Sequence, residues 1–521
     1  MKTTYRPAFA ALRRGRQNLL AAALSLALAL SAASAWAQNT PGYNNKIPEQ
    51  IMTPDTVETR IGTLKFFDGF PTKETTQKLY DNLDFLRGVE VFLNFIPAAS
   101  IEAMRRGNVK MGANAANKVL IWDKMPDSDA LFLTGNTDTV YVSGMLDLER
   151  DGPTVVEIPP GCGPGTVNDA FFRFVIDMGA PGPDRGKGGK YLILPPDYKG
   201  EEPTGYFVAR SPSYVNWLIL RGFVVDGKPD AANKNFKDGL KVYPLAKASN
   251  PPAMQFISGS KQSFNTIHAN TFEFYEELAV VLAKEPVGFI DPELRGLAAS
   301  IGIRKDKPFA PDARMKAILT ESVAVANATA RAIAFQTRDA AAYYYKNSAW
   351  KMAFVGGDYQ WLIDGGVGGR NLDARTLYFY AATVNTPAMA AKMIGVGSQY
   401  AFAERDKDWN LLDGAKNYKL NIPANAPAKD FWSIVIYDPQ TRSQLQTSQP
   451  FPSKNNKVNP PVANADGSVD LYFGPTAPAG KEKNWIQTVP GKGWFTLLRL
   501  YGPLEPWFDK TWRPGDFELV K

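Results

Sequence analysis

The spacing of apolar residues changes character three times along the chain. From Thr72 onward Leu79, Leu83, Leu86, Val89 and Val91 recur mostly at intervals of three and four, the period of one helix face. This predicts a helix that Pro97 interrupts and that a short helix at 101–106 follows. Residues 38–60 are polar with scattered proline and read as an extended arm. Near Val119 the texture turns to strands. Short apolar runs at 119–122, 131–133, 140–142, 155–158, 171–176, 191–194, 206–209 and 215–225 are divided by turn residues. Spacing of about ten residues between such runs argues for an antiparallel sandwich or barrel.

Helical spacing returns near Asn270. Asn270 and Glu273 fit a capping box, and Phe274, Leu278, Val281 and Leu282 follow on one face. Asp291 before Pro292 places a good N-cap ahead of proline at the first helical position, and Gly302 stands where a C-cap belongs. Pro311 opens an Ala-rich helix running to Phe335. Residues 340–400 are mixed and carry no dominant period. From Tyr418 the strand pattern is back. The run 431–437 is almost continuously apolar, as in a strand buried on both faces. Asp438-Pro439 suits a type I turn, Asp466-Gly467 leads into a half-exposed strand at 469–473, and 494–501 is apolar again.

Composition narrows the chemistry more than the architecture. The 521 residues are 45% hydrophobic and 21% charged, the balance of a folded chain. One cysteine, Cys162, rules out an internal disulfide and a Cys-rich zinc site. One histidine, His268, rules out a multi-His metal centre. No metal and no cofactor is therefore expected. The net charge of +7 is misleading. Lys2, Arg6, Arg13, Arg14 and Arg16 precede an Ala/Leu run at 19–30, and Ala35-Trp36-Ala37 is a small-x-small cleavage site. This is the pattern of a secretory signal peptide, with a mature chain starting at Gln38 in the periplasm or outside the cell. Without its five basic residues the chain holds 54 basic and 52 acidic residues, a net of +2. No polyanion partner such as nucleic acid follows from that charge. No later apolar run reaches about 18 residues, so no stable membrane insertion is expected after cleavage.

Several motifs fail on context. Gly186-Lys187-Gly188-Gly189-Lys190 leads into a strand and not a helix, so no helix N-terminus faces a phosphate. Gly365-Gly366-Val367-Gly368-Gly369 follows no strong strand. Cys162 and His268 allow a single Cys–His dyad, but about a hundred residues separate them and nothing in the sequence joins them. The densest polar group in a strand context is Asn136-Thr137-Asp138-Thr139 with Tyr141. It reads either as an Asx turn or as the polar rim of a pocket. Arg173 and Asp177, four apart on an expected strand, share one face and suit an ion pair or a cleft wall.

Taken in order, these motifs resemble a known family pair. Asn136-Thr-Asp-Thr-Val-Tyr141, Leu146-Asp147-Leu148, Gly189-Lys190-Tyr191-Leu192 and Arg210-Ser211-Pro212 resemble domain-of-unknown-function family 1254. Phe431-Trp432-Ser433, Tyr437-Asp438, Arg442-Ser443, Asn484-Trp485, Arg499-Leu-Tyr-Gly-Pro503 and Thr511-Trp512 are similar to family 1214. The resemblance implies a bacterial exported protein, mainly β with a helical insertion: an N-terminal β-sandwich, a small helical domain and a C-terminal jelly-roll-like domain. The expected segments are 1–37 signal peptide, 38–118 arm and helices, 119–267 sandwich, 268–390 helical and mixed, and 391–521 C-terminal domain. It implies no mechanism, since no catalytic set comes with it.

The expectation drawn from all this is a periplasmic protein that binds a small organic or carbohydrate ligand in an inter-domain cleft, with hydrolysis as the reaction held open. A non-catalytic binding or cell-envelope interaction protein is the alternative, and a homo-oligomer is left open. Asp138, His268 and Arg173 are the expected catalytic residues, acid or base and charge stabiliser. Asn136, Tyr141, Asp177, Tyr437, Arg442, Trp485 and Arg499 are the expected ligand contacts.

Overall fold

A computed structural model describes residues 47–520. The expected signal peptide and the start of the expected arm lie outside the described residues. The chain divides into two compact units, the first ending at Leu83 and the second running from Asp84. In the first unit the arm is shorter than expected. Thr56–Thr59, Gly62–Phe67 and Phe70–Pro71 form an antiparallel meander, and Gly62 at φ +97 supplies the left-handed turn residue between the first two strands.

The second unit holds two β-sandwiches. In the first, a six-stranded sheet is ordered Gln255–Ser258, Lys118–Ile121, Thr139–Asp147, Val215–Phe223, Gly165–Asp169, Phe174–Met178. A four-stranded sheet is ordered Phe207–Arg210, Gly189–Leu194, Thr154–Ile158, Lys241–Pro244. Strand alternation assigns the faces. Val140, Val142, Leu146, Leu218 and Leu220 meet Val156, Ile158, Tyr191 and Ile193 in a core between the sheets. In the second sandwich a five-stranded sheet is ordered Lys351–Met352, Ser398–Ala403, Phe495–Pro503, Ala428–Tyr437, Ser453–Asn455. It covers a four-stranded sheet of Trp485–Gln487, Val469–Gly474, Asn417–Ile422 and Glu518–Val520. Ile434, Ile436, Leu498 and Leu500 meet Leu420, Leu471 and Phe473 between them. Both β-domains are thus layered sheets, and no closed barrel forms among the described residues.

The opposite faces of the two larger sheets share one core. Tyr141, Met145, Trp217 and Ile219 from the first sheet and Tyr400, Phe402, Tyr437 and Leu497 from the other pack into the same cluster as the helices. Those helices are Lys73–Lys110, Glu273–Lys284, Ala313–Phe335 and Leu372–Ala381. Strand and helix take nearly equal shares, 27% and 28%. The break expected at Pro97 does not occur: Lys73–Lys110 runs unbroken through it. Its flanking residues Phe95, Ile96, Ala98 and Ala99 are fully buried, and tertiary packing outweighs the hydrogen bond that proline cannot donate.

One further local reading needs correction. The helix expected from Asn270 begins at Glu273, and its N-cap residue, Phe272, makes no side-chain capping bond. Asp291 and Asp312, in contrast, cap their helices by accepting from the N–H of Leu294 and of Met315.

Candidate functional site

The shared core contains one conspicuously polar place. A strand buried on both faces normally carries apolar residues throughout, yet Arg221 interrupts Val215–Phe223 and Arg499 interrupts Phe495–Pro503. Both guanidinium groups point to the helical side, where each lies directly across the ladder from a tyrosine. Arg221 pairs in register with Tyr141, and Arg499 with Tyr400. The Arg221 Cζ is 5.9 Å from the Tyr141 ring centroid, and the Arg499 Cζ is 6.0 Å from that of Tyr400 and 5.6 Å from that of Tyr437. Tyr378 from the helix Leu372–Ala381 and Tyr501 join Arg221, Arg499, Tyr141 and Tyr400 in lining a chamber of about 30 Å³. Two β-domains and a helix therefore build one wall each.

The electrostatics of this chamber are unusual. No carboxylate lies within salt-bridge distance of Arg221 or Arg499 among the described residues. Burial opposes the charge on Arg221, but the phenol oxygens of Tyr400, Tyr141 and Tyr501 more than offset it and keep it firmly protonated. Arg499 is held in the same way by Tyr437, Tyr501, Tyr141 and Tyr400. One Nη of Arg499 donates to the Thr134 carbonyl at 2.6 Å, while its Nη1 and the Nε of Arg221 have no hydrogen-bond partner among the described residues. A buried cation normally sits beside an anion, because desolvation costs several kcal/mol otherwise.

The Asn136 turn forms the floor. The Asn136 Oδ1 accepts from the Asp138 N–H at 3.0 Å, which makes the Asx turn, and its Nδ2 donates to the Tyr501 hydroxyl at 2.8 Å. The turn and the chamber rim, posed as alternatives by the sequence, meet in one residue, Asn136, which makes the Asx turn and lines the chamber. Asp138 itself is fully buried behind them, accepting from Asn455 Nδ2 at 2.9 Å and Thr137 Oγ1 at 3.0 Å. Burial pushes its carboxyl up, with Ser433 and Arg499 pulling the other way.

A smaller recess of about 20 Å³ shares Arg221, Val384 and Met389 with the chamber and contains Asp177. Both Asp177 oxygens accept from Thr386 Oγ1 at 2.7 Å. Burial pushes this carboxyl up to about 6, against the pull of Thr386, Thr166 and Arg221. Val384, in the common wall, is held at φ 71, a region costly for a β-branched residue and a mark of over-determined packing. On the other side, a cavity of about 330 Å³ shares Ala353, Met389 and Tyr400 with the chamber. Its lining is largely apolar, with Trp507 and Phe508, and includes Lys392 and Lys510.

The remaining expected residues lie elsewhere. Arg173 and Asp177 do not share a strand face. The strand starts at Phe174, and Phe172 at φ 54 turns Arg173 back onto Asp169, whose carboxylate it meets at 2.5 Å. His268 is buried against Phe92 and Phe274, with Nδ1 facing the Ala269 carbonyl at 2.9 Å. Burial and the nearby Arg442 charge push it down to about 3, so it stays neutral. Arg442 lies over the Tyr380 ring at 4.3 Å, bonded through Nε to the Tyr380 carbonyl. At φ 60 it ends a loop wider than a type I turn, closed by its N–H on the Asp438 carbonyl. Trp485 donates to the Gly474 carbonyl at the edge of the last sheet, away from the chamber. Cys162 belongs to the first sandwich core, and burial pushes its thiol up to about 12, which disfavours the thiolate. Of the ten expected residues, the structure gathers Asn136, Tyr141 and Arg499 in the chamber and Asp138, Asp177 and Tyr437 beside it. Arg221, Tyr378, Tyr400 and Tyr501 were missed. A lone Arg inside an apolar strand run was the available signal at Arg221.

Comparison with known proteins covers the same regions. Residues 116–244 match the model described as a protein of unknown function, DUF1254, and residues 397–505 match the protein of unknown function DUF1214. No curated protein matches the chain. Among solved structures it is similar to the VPA0106 protein from Vibrio parahaemolyticus, at 18% identity and TM-score 0.52 over 84% of this chain and 100% of that one. A putative uncharacterized protein from Burkholderia cenocepacia aligns at 13% identity and TM-score 0.38, over 86% of this chain and 97% of that one. The first likeness extends to the fold.

Proposed function

From a chain in which a DUF1254 region precedes a DUF1214 region, we propose a protein that binds a small organic anion in the chamber between them. A sugar acid is the ligand type that suits it best. The observation that carries this reading is the pair Arg221 and Arg499: buried, charged, lining one cavity, and with no carboxylate within salt-bridge distance among the described residues. A carboxylate between them would supply the missing acceptors, the tyrosine hydroxyls would bond to its neighbouring oxygens, and the 330 Å³ cavity would hold a ring-sized body. Asp177 supports a further, hydrolytic reading, since a carboxyl near 6 beside Arg221 can give and take a proton at neutral pH.

The test is a calorimetric titration of the mature protein with glucuronate and, as the neutral counterpart, glucose. Glucuronate is expected to bind and glucose to bind far more weakly. Arg499→Gln and Arg221→Gln should each lose about tenfold or more in affinity, with Lys510→Ala as a rim control. Equal binding of both sugars, or folded Arg variants that bind as the parent does, would sink the reading.

A further inference from the structure

A second cavity lies beyond the segment 383–386 and shares no lining residue with the chamber. It measures about 370 Å³ and is walled by aromatic rings, among them Phe171, Phe174, Tyr359 and Phe379. Three arginines reach it: Arg173, Arg370 and Arg375. Their partners account for only part of their hydrogen-bonding capacity. Arg173 spends its Nε on Asp169, but its Nη2 is buried with no partner. Arg370 is exposed and donates to the Gln360 carbonyl. Arg375 is 9% exposed and donates one Nη to Asn94 Oδ1 at 2.7 Å, while its Nε has no partner. No carboxylate stands within salt-bridge distance of Arg375 among the described residues, and the charge that acts on it is that of Arg370. Burial and that like charge push Arg375 down to about 10.

Two uncharged groups share the condition. Among the described residues Trp361, 2% exposed, has an indole N–H with no acceptor, and Asn385, 4% exposed, has an amide oxygen with no donor. Both line the cavity. Buried polar atoms are ordinarily satisfied, and here four residues that line one aromatic-walled space each carry a buried polar atom without a hydrogen-bond partner among the described residues.

Carboxylates near the cavity are already engaged. Asp169 accepts from Arg173 and from two backbone N–H groups. Asp291 caps the helix Pro292–Ser300, and Asp358 accepts from the Gln360 N–H. They temper the positive field without filling it.

We propose that this cavity is a second ligand site, for a small planar aromatic carboxylate. The carboxylate would lie between Arg370 and Arg375 with the Trp361 N–H as a further donor. Its ring would pack among the phenylalanines, and Asn385 would accept from a ring hydroxyl or amine. This goes beyond the anion reading of the chamber and uses none of its residues.

The experiment uses the full mature protein and benzoate as probe, with benzyl alcohol and inorganic phosphate as controls, read by calorimetry. Benzoate is expected to bind, and each control to bind at least about tenfold more weakly. Arg370→Glu, a change at an exposed position, should weaken benzoate by about tenfold or more, and Arg375→Met should do the same. Arg499→Gln should leave benzoate binding unchanged. Absence of benzoate binding by the folded parent overturns the proposal, as does unchanged binding by Arg370→Glu. Phosphate binding as tightly as benzoate overturns the aromatic assignment. Loss in Arg499→Gln with retention in Arg370→Glu places benzoate in the inner chamber, which overturns this site and favours the first reading.

Discussion

Asp177 shows how one residue changes meaning between sequence and structure. By spacing it belongs with Arg173; in space it faces Thr386, Thr166 and Arg221. Its carboxyl is pushed up from 3.8 to about 6, chiefly by burial, so the folded chain holds the proton more tightly than the unfolded one. The stabilisation this lends is complete below the unfolded value and is lost as pH rises through about 6. Glu277 and Glu285, both pushed up to about 7 by burial, act in the same direction. Asp177→Asn is expected to flatten the fall in unfolding free energy between about pH 4 and pH 7 by roughly 2–3 kcal/mol, measured by urea titration at several pH values. A variant curve parallel to the parent's would show that Asp177 is solvated or already ionised.

Among the elements, the short strand Lys351–Met352 depends most on a single contact. Its Lys351 is 1% exposed, pairs with Glu404 at 2.7 Å and donates to the Ala334 carbonyl at 2.9 Å. The pair ties the end of the helix Ala313–Phe335 and the edge strand to the region just beyond Ser398–Ala403. Lys351→Met is expected to cost about 3–5 kcal/mol, because it leaves the buried Glu404 carboxylate with only the more distant Arg405 at 4.0 Å, and adding Glu404→Leu should recover much of that. Equal loss in the single and double variants would assign the effect to packing instead of charge. Element assignment from pattern worked where one face is buried and the other is not. The cap at Asp291, marked by the proline after it, and the strand 431–437, marked by its unbroken apolar run, were legible for their own local reasons. The helix through Pro97 was not, because the apolar contacts that hold it come from segments far along the chain.

For the molecule as a whole, the N-terminal 37 residues carry a prediction that the folded part does not. The exported protein is expected to begin at Gln38, read by N-terminal sequencing of periplasmic or secreted material, and uncleaved chain in that fraction would refute it. No helix among the described residues is long and apolar enough to cross a membrane. The sequence by itself determined the order of β, helical and β parts, since burial on one face imposes a period on any strand or helix. It also determined the poverty of Cys and His, and it marked the Asn136 turn and Arg499 as candidates. Only the tertiary structure decided which polar residues meet. Arg221 and Arg499 lie far apart in the chain and on different sheets, and they face each other because both sheets turn one side to the same helices. Periodicity states that a residue is buried or exposed; what it is buried against depends on the packing of whole layers, which no local spacing encodes.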